Sequence, residues 1–194
     1  MPKVKPNIGN YKKTYRNWKW NLPTFYNLSS DIDKWADDPR KMAIHWTDDT
    51  GATKSLTYRE LRDYSNQFAN ALRKQGVKKG DKVAIITPRL IATYIAYLGI
   101  VKTGAVAVPV SQLYAPRAMQ HVFDNSGAKF LVTTDLLKGT LLKNILPKCK
   151  GVKKTFIIGK AKGKDISFWD SIWAESRECK IEKTRGKDLS TFLY

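Results

Sequence analysis

Cysteine and histidine are scarce in this sequence. Its 194 residues include two cysteines, Cys149 and Cys179, and two histidines, His45 and His121. The cysteines do not form a Cys-x-x-Cys pair and neither histidine has partners at metal-ligand spacing, so the sequence predicts no metal site. Two widely separated thiols also provide no disulfide framework, which favours a reducing compartment.

Long apolar runs are also missing. The most apolar stretch, residues 90–101, is bounded by Arg89 and Lys102 and is too short to span a bilayer. The basic N-terminus, "MPKVKPNIGNYKK", has no apolar core behind it and does not resemble a secretory signal. We therefore predict a cytoplasmic protein without a membrane span.

The glycine motifs of nucleotide-binding loops are absent as well. No G-x-G-x-x-G follows the first predicted strand of the sheet, and there is no G-x-S-x-G elbow. The segment nearest to a phosphate loop is "GKAKGKD" at residues 159–165. It is one residue short between its glycines, and Asp165 stands where a magnesium-binding hydroxyl is needed. We interpret it as a basic turn and predict no catalytic residue in this chain.

Acidic residues are few relative to basic ones. The 35 Lys and Arg residues against 17 Asp and Glu residues give a net charge of +18. Such a surplus indicates a polyanionic ligand, such as nucleic acid, an anionic membrane or a phosphorylated cofactor, or else a solvated basic surface. It is also expected of a fragment whose acidic remainder lies elsewhere. Because the basic residues fall mainly at the ends of predicted elements and in loops, the solvated surface is favoured.

An alternation of apolar strands and helices dominates what is present. After a predicted hairpin, "MAIHWTDDTGATKSLTY", a helix begins at the capping box of Thr57 and Glu60 and ends near Gly76. The strands "KVAIIT", "AVAVPV", "KFLVTT" and "TFIIGK" follow, separated by predicted helices. One of these helices is "DLLKGTLLKNILP" at residues 135–147, and "ISFWDSIWAES" predicts a last helix. This alternation predicts an α/β fold, layered, with helices flanking a largely parallel sheet.

Residues 1–28 differ from this pattern. They contain prolines and the aromatic-basic stretch "YKKTYRNWKW", so we predict an irregular N-terminal arm, with residues 29–194 forming the folded domain. Interleaved aromatic and basic side chains can stack on single-stranded nucleic acid. More often such side chains pack onto the body of the protein, so nucleic-acid binding is the less favoured interpretation.

Three segments carry a family resemblance. They are "SLTYRELRDYSNQFANALRKQGVKKGDKVAI" at residues 55–85, "YLGIVKTGAVAVPVS" at 97–111 and "DNSGAKFLVTTD" at 124–135. In this order and spacing they resemble conserved blocks of the AMP-forming adenylating enzymes, which include acyl-CoA synthetases, luciferases and peptide-synthetase adenylation domains. The segments "TPRL" and "PVSQLYAPRAMQHVF", with the N-terminal stretch, are most similar to acyl-CoA synthetases acting on medium-chain and related fatty acids.

The resemblance implies a reaction and its cofactors. A fatty acid, ATP and CoA would give acyl-CoA, AMP and pyrophosphate, with Mg²⁺ required. The chain would form the first part of the large N-terminal domain of such an enzyme, and the remainder of that domain would be its partner. Gln112 matches a glutamine that contacts CoA in the medium-chain enzymes. Lys138 and Lys143 lie where related acetyl-CoA enzymes place basic residues for the CoA phosphate.

The end of the chain, "DLSTFLY", predicts a buried strand. In the family such a strand immediately precedes the ATP phosphate loop, and we expect the catalytic groups to lie beyond it. The isolated chain is then expected to make no acyl-AMP. The alternative interpretation is a stand-alone basic α/β module that binds CoA, an acidic protein or nucleic acid without catalysis.

Overall fold

Helices and strands alternate along the protein. The structure is a computed structural model and describes residues 9–19 and 23–194. The helices are α1 (Tyr11–Asn17), α2 (Ser29–Asp33), α3 (Tyr58–Lys74), α4 (Ile91–Lys102), α5 (Pro116–Ser126), α6 (Asp135–Gly139) and α7 (Phe168–Trp173). The strands are β1 (Met42–Thr47), β2 (Thr53–Thr57), β3 (Lys82–Ile86), β4 (Val106–Pro109), β5 (Phe130–Thr134), β6 (Lys154–Ile158) and β7 (Ile166–Ser167). A 3₁₀ helix, Leu146–Lys148, precedes β6.

A five-stranded parallel sheet forms the centre of the molecule. Its strand order is β4-β3-β5-β6-β7, and every pair in it is parallel. The predicted α/β class is therefore confirmed. Strand β7 is additional, because the sequence pattern placed Ile166 in the last helix. Two residues are too few to show the alternation that marks a strand.

The two faces of the sheet bury different helices. Val83 and Ile85 lie in the apolar core formed with α3, α4 and α7, whereas Ala84 and Ile86 lie in the core formed with α5 and residues 142–149. Successive strand residues point to opposite faces, so a short run of apolar residues supplies both cores. The result is a layer of helices on each side of the sheet.

The hairpin and the start of α3 match the sequence prediction. Strands β1 and β2 pair antiparallel. The Thr57 hydroxyl accepts from the Glu60 amide at 3.2 Å, and the Glu60 carboxylate accepts from the Thr57 amide at 2.8 Å. This reciprocal pair satisfies two amides that the first helical turn leaves free. Gly76 follows the helix with a φ of +93°, a conformation that favours glycine.

The N-terminal arm is less irregular than predicted. Asn10 caps α1 by accepting a hydrogen bond from the Lys13 amide, which explains why a helix begins there. Tyr11 and Tyr15 are 67% and 73% exposed and stack on each other, so these two rings do not pack onto the body. The rest of the predicted arm includes residues 1–8 and 20–22, which lie outside the described residues.

Two further predictions need correction. The helix expected over residues 135–147 is short, since α6 has only five residues and turns follow it. The predicted buried strand at the end of the chain is a single parallel bridge between Thr191 and Ala107 on the outer edge of β4. Leu193 is 80% exposed there, because an edge segment is covered on one side only.

Residues 174–190 connect α7 to that edge without a helix or strand of their own. We call this segment the strap. It crosses the surface of α3 and the C-terminal end of α4, where its backbone hydrogen-bonds to side chains of α3 and to the carbonyl of Lys102. Within residues 9–19 and 23–194, no helix is long and apolar enough to cross a membrane.

Candidate ligand site at the carboxyl edge of the sheet

Polar loops gather where the parallel strands end. Residues 111–115 follow β4, α6 follows β5, and residues 159–165 follow β6. In open α/β sheets, ligands bind outside the carboxyl ends of the strands, because the loops there converge. This edge is therefore where a ligand is expected.

Gln112 lies at this edge, in the turn between β4 and α5. The turn is held by Val110, whose amide donates to the Ile85 carbonyl at 2.8 Å, and by the Ser111 hydroxyl, which accepts from the Leu113 amide at 3.2 Å. Gln112 itself is exposed. Its carboxamide makes no hydrogen bond to another described residue, so both its donor and its acceptor are available to a ligand.

A basic cleft opens beside the ends of β5 and β6. It has a volume of about 660 Å³, and its lining includes Lys138, Lys160, Lys162 and Asp165. The Lys138 ammonium, which the family resemblance assigned to a phosphate, forms a salt bridge with Asp165 instead. The cleft is thus less positive than its lysines suggest, since one of them is neutralised.

Lys143 is not part of this cleft. It lies after α6 and is exposed, with its amide donating to the Thr140 carbonyl at 3.3 Å. The two lysines singled out from the sequence are therefore not brought together around one pocket.

The turn after β6 agrees with its interpretation as a basic turn. Gly159 has a φ of +123° and packs against the Asp135 carboxylate, which also accepts from the Lys160 amide at 3.3 Å. An added Cβ at Gly159 would lie 2.4 Å from that carboxylate, so the contact requires glycine. The close approach joins the ends of β5 and β6 and does not form an open phosphate cradle.

A second cleft, of about 530 Å³ and lined mainly by apolar residues, lies on the other side of β6. Trp46, Tyr64, Ile91 and Trp169 are among its walls. The Trp46 indole donates to the Arg89 carbonyl at 2.6 Å and so ties the hairpin to the loop after β3. Its lining also includes three polar residues, Lys54, Ser55 and Glu60.

Each of the two histidines has a described neighbour. His45 Nδ1 lies 2.8 Å from the Ser55 hydroxyl across the hairpin, so this ring nitrogen has a hydrogen-bond partner. Exposed His121 packs edge-on against Tyr194. The described residues also contain no group of three His, Cys, Asp or Glu that could hold a metal ion.

A buried polar cluster was missed from the sequence. Lys102, fully buried at the end of α4, donates to Asn66 Oδ1 at 2.6 Å and to the Arg62 carbonyl at 3.3 Å, and pairs with Asp33 at 2.9 Å. Burial lowers the pKa of Lys102 and raises that of Asp33, and in each case the partner opposes the shift. The ammonium thus has two hydrogen-bond acceptors and one ion-pair partner around it. The only signal for this cluster in the sequence is that Lys102 is the last residue of an apolar helix.

The fold is thus that of an α/β domain with a parallel sheet, in which a ligand is expected at the carboxyl ends of the strands. Over residues 32–194 the chain matches the AMP-binding enzyme family, and it belongs to that family.

Known proteins of this family show how the chain compares. It is 32% identical to an acetyl-coenzyme A synthetase of a gamma-proteobacterium, with 95% of this chain and 32% of that protein aligned. It is 31% identical to an acetyl-coenzyme A synthetase of Bacillus subtilis, with 94% and 34% aligned. The chain therefore spans about a third of the length of these curated relatives.

Solved structures agree on the fold. An acyl-CoA synthetase of Brucella canis superposes with a TM-score of 0.82 at 24% identity, covering 95% of this chain and 35% of that one. The anthranilate CoA ligase AuaEII, solved with anthranoyl-AMP, gives a TM-score of 0.77 at 25% identity, covering 88% and 32%. The layered sheet described above is thus the fold of the N-terminal domain of adenylate-forming enzymes.

Proposed function

We propose that this chain forms the first part of the catalytic domain of an AMP-forming acyl-CoA ligase. In that reaction a carboxylate attacks the α-phosphate of ATP to give acyl-AMP and pyrophosphate, and the CoA thiol then displaces AMP. The observation that carries the proposal is the family match across residues 32–194. The two free cysteines suit the reducing, cytoplasmic setting that we propose for it.

The side chains at the carboxyl edge suit binding better than they suit the chemical step. Adenylate formation needs cations and donors placed around phosphate oxygens. In the described residues this edge offers the neutral amide of Gln112, a Lys138 already paired with Asp165, and exposed turn lysines. We therefore propose that ATP and Mg²⁺ are held by residues outside this chain, and that the chain alone makes no acyl-AMP.

Gln112 is our proposed contact for CoA. Its exposed carboxamide can donate to a phosphate oxygen or accept from a pantetheine amide. Lys160 and Lys162, exposed in the neighbouring cleft, would add a general attraction for the CoA phosphates.

We further propose a fatty acid as the acyl substrate. The support is the similarity of "PVSQLYAPRAMQHVF" to the medium-chain enzymes. Relatives named for acetyl-coenzyme A are the natural comparison, so octanoate and acetate are the two substrates to test.

ATP–pyrophosphate exchange tests both parts of this proposal. The purified 194-residue chain is expected to give no exchange above a blank with either acid, whereas the Bacillus subtilis acetyl-coenzyme A synthetase serves as the positive control. Exchange by the chain alone would overturn its assignment as a part without catalysis. The complete product of the gene encoding these residues is expected to prefer octanoate, and a preference for acetate would refute the fatty acid but keep the ligase.

The net charge of +18 is the observation behind a second candidate, a stand-alone basic binding module. Such a module would bind CoA or DNA strongly, with an affinity that falls steeply with salt. Calorimetry of the chain with CoA and with a DNA duplex at two salt concentrations separates the candidates. We expect weak binding of both, and tight binding of either would favour the module.

A further inference from the structure

The backbone carbonyls of the strap find their hydrogen-bond donors in an unusual place. It contains no helix or strand, and several of its carbonyls accept hydrogen bonds from side chains of the folded body. Most of its residues are exposed, so apolar burial contributes little to holding it in place. Its position therefore depends on these side-chain donors.

The donors form a row on α3, which we call the polar row: Asn66, Gln67, Asn70 and Arg73. Gln67 donates to the Glu175 carbonyl at 2.9 Å, and Asn66 donates to the Arg177 carbonyl at 2.8 Å.

Asn70 and Arg73 continue the row. Asn70 donates to the Ser176 carbonyl at 3.0 Å and to the Glu178 carbonyl at 2.8 Å, and Arg73 donates to the Lys180 carbonyl at 2.6 Å. Residues three and four apart share one face of a helix, so a rigid element presents these donors in a fixed series.

Gln67 indicates that the side-chain N–H donors, and not the acceptors, hold the strap. This side chain is 5% exposed, and its Oε1 has no hydrogen-bond partner among the described residues. A buried unsatisfied acceptor is costly. The amide nitrogen, which bonds to the strap, offsets that cost.

The C-terminal half of the strap is also held by hydrogen bonds from side chains. Asn27 donates to the Glu182 carbonyl at 3.0 Å, and Lys79 donates to the Lys183 carbonyl at 2.9 Å. Beyond it, the Ala107 amide donates to the Ser190 carbonyl at 2.9 Å, and the Phe192 amide donates to the Ala107 carbonyl at 2.9 Å. A series of hydrogen bonds therefore runs from α3 along the strap to residues 190–192 on β4.

We propose that the polar row of α3 is a positioning element, which fixes the register at which residues 190–192 join β4. Sliding the strap by one residue would break several of these bonds at once, whereas a strap held by apolar contacts could slide. The strap and the edge segment detach as one unit while the sheet stays folded. This inference concerns the folded chain itself and holds whether or not the proposed ligase function is correct.

Hydrogen exchange of the purified chain tests the proposal. In Asn70→Asp, an oxygen replaces the donor that faces two strap carbonyls. The Ala107 and Phe192 amides are expected to exchange about tenfold faster, from the loss of two hydrogen bonds, while the Leu131 and Val132 amides of β5 change little. Asn125→Asp is the matched control, because its Oδ1 only accepts from the Tyr194 hydroxyl and remains an acceptor.

Brief trypsin digestion gives a second readout. Cleavage after Arg177, Lys180 and Lys183 is expected to accelerate in Asn70→Asp and not in Asn125→Asp. Equal acceleration of exchange at β4 and β5 would show a general loss of stability and overturn the proposal. Unchanged exchange at Ala107 and Phe192 would overturn it too, since the polar row would then not control the edge.

Discussion

The sheet and the strap satisfy their backbones by opposite means. In the sheet, carbonyls and amides bond to neighbouring strands, and the side chains are free to fill two apolar cores. In the strap, carbonyls bond to named side chains such as Asn70 and Arg73. The sheet should therefore respond to changes in side-chain volume, and the strap to the loss of single donors.

The largest expected effect lies in the apolar core between α3 and the sheet. Phe68 is fully buried, and its ring lies 4.7 Å from that of Phe168 and 5.3 Å from that of Phe156, measured between centroids. Phe68→Ala should lower the free energy of unfolding by about 4 kcal/mol in urea denaturation, because it leaves a cavity. Leu113→Ala, at a residue 89% exposed, is the control and should change it by less than about 0.5 kcal/mol. Similar values for the two variants would contradict the assignment of the core.

The next largest expected effect concerns Lys102, a buried residue at the end of α4 that also contacts the strap. Its carbonyl accepts from the strap amide of Glu182 at 2.9 Å, while its ammonium pairs with Asp33. Lys102→Met leaves a partly buried carboxylate unpaired and should cost about 3 kcal/mol in the same measurement. Lys129→Met breaks an exposed pair with Asp81 and should cost less than about 1 kcal/mol. Adding Asp33→Asn to Lys102→Met should restore part of the loss; a further loss would show that the leftover charge is not its cause.

Two glycines offer a smaller and sharper test of where the strap lies. Gly104 and Gly127 have φ angles of +73° and +64°, so alanine at either position should cost about 1 kcal/mol through its backbone alone. An added Cβ at Gly104 would lie 2.7 Å from Glu182 Cγ, whereas Gly127 has open space. Gly104→Ala should therefore cost about 2 kcal/mol in total and accelerate trypsin cleavage after Lys183. If both variants unfold alike, the strap does not press on Gly104.

The smallest effect is the pH response of the strap. Lys79 lies 2.7 Å from the Asp188 carboxylate, and this contact, with the Arg185 amide, holds the pKa of Asp188 below its ordinary value. A carboxyl group whose folded-state pKa is lowered stabilises the fold above its unfolded pKa, so the contribution is complete above about pH 4. It is lost as the pH falls through the lower folded-state value. An NMR titration should give Asp188 a midpoint below about 4, with loss of Arg185 amide protection in the same range. Asp188→Asn should abolish that pH dependence, and a midpoint at or above the ordinary value would contradict the contact.

Much of the regular structure was predictable because its causes are local. The capping box at Thr57 and Glu60, the helix end at Gly127 and the apolar strand β5 all depend on residues a few positions apart. Gln112 was singled out from the sequence by its resemblance to a family glutamine alone, and its contact with CoA stays a prediction. The salt bridge between Lys138 and Asp165 joins residues 27 positions apart, so no local sequence pattern predicts it.

By itself, the sequence determined the alternation of strands and helices and the membership of the AMP-binding enzyme family, because periodicity and motif spacing are written along the chain. Only the tertiary structure decided that Lys138 is neutralised, that Lys102 is buried among acceptors, and that Asn70 holds a strap 108 positions away. A polar side chain can bond to any carbonyl that the fold brings within reach. Its partner is therefore a property of packing, which no local pattern encodes.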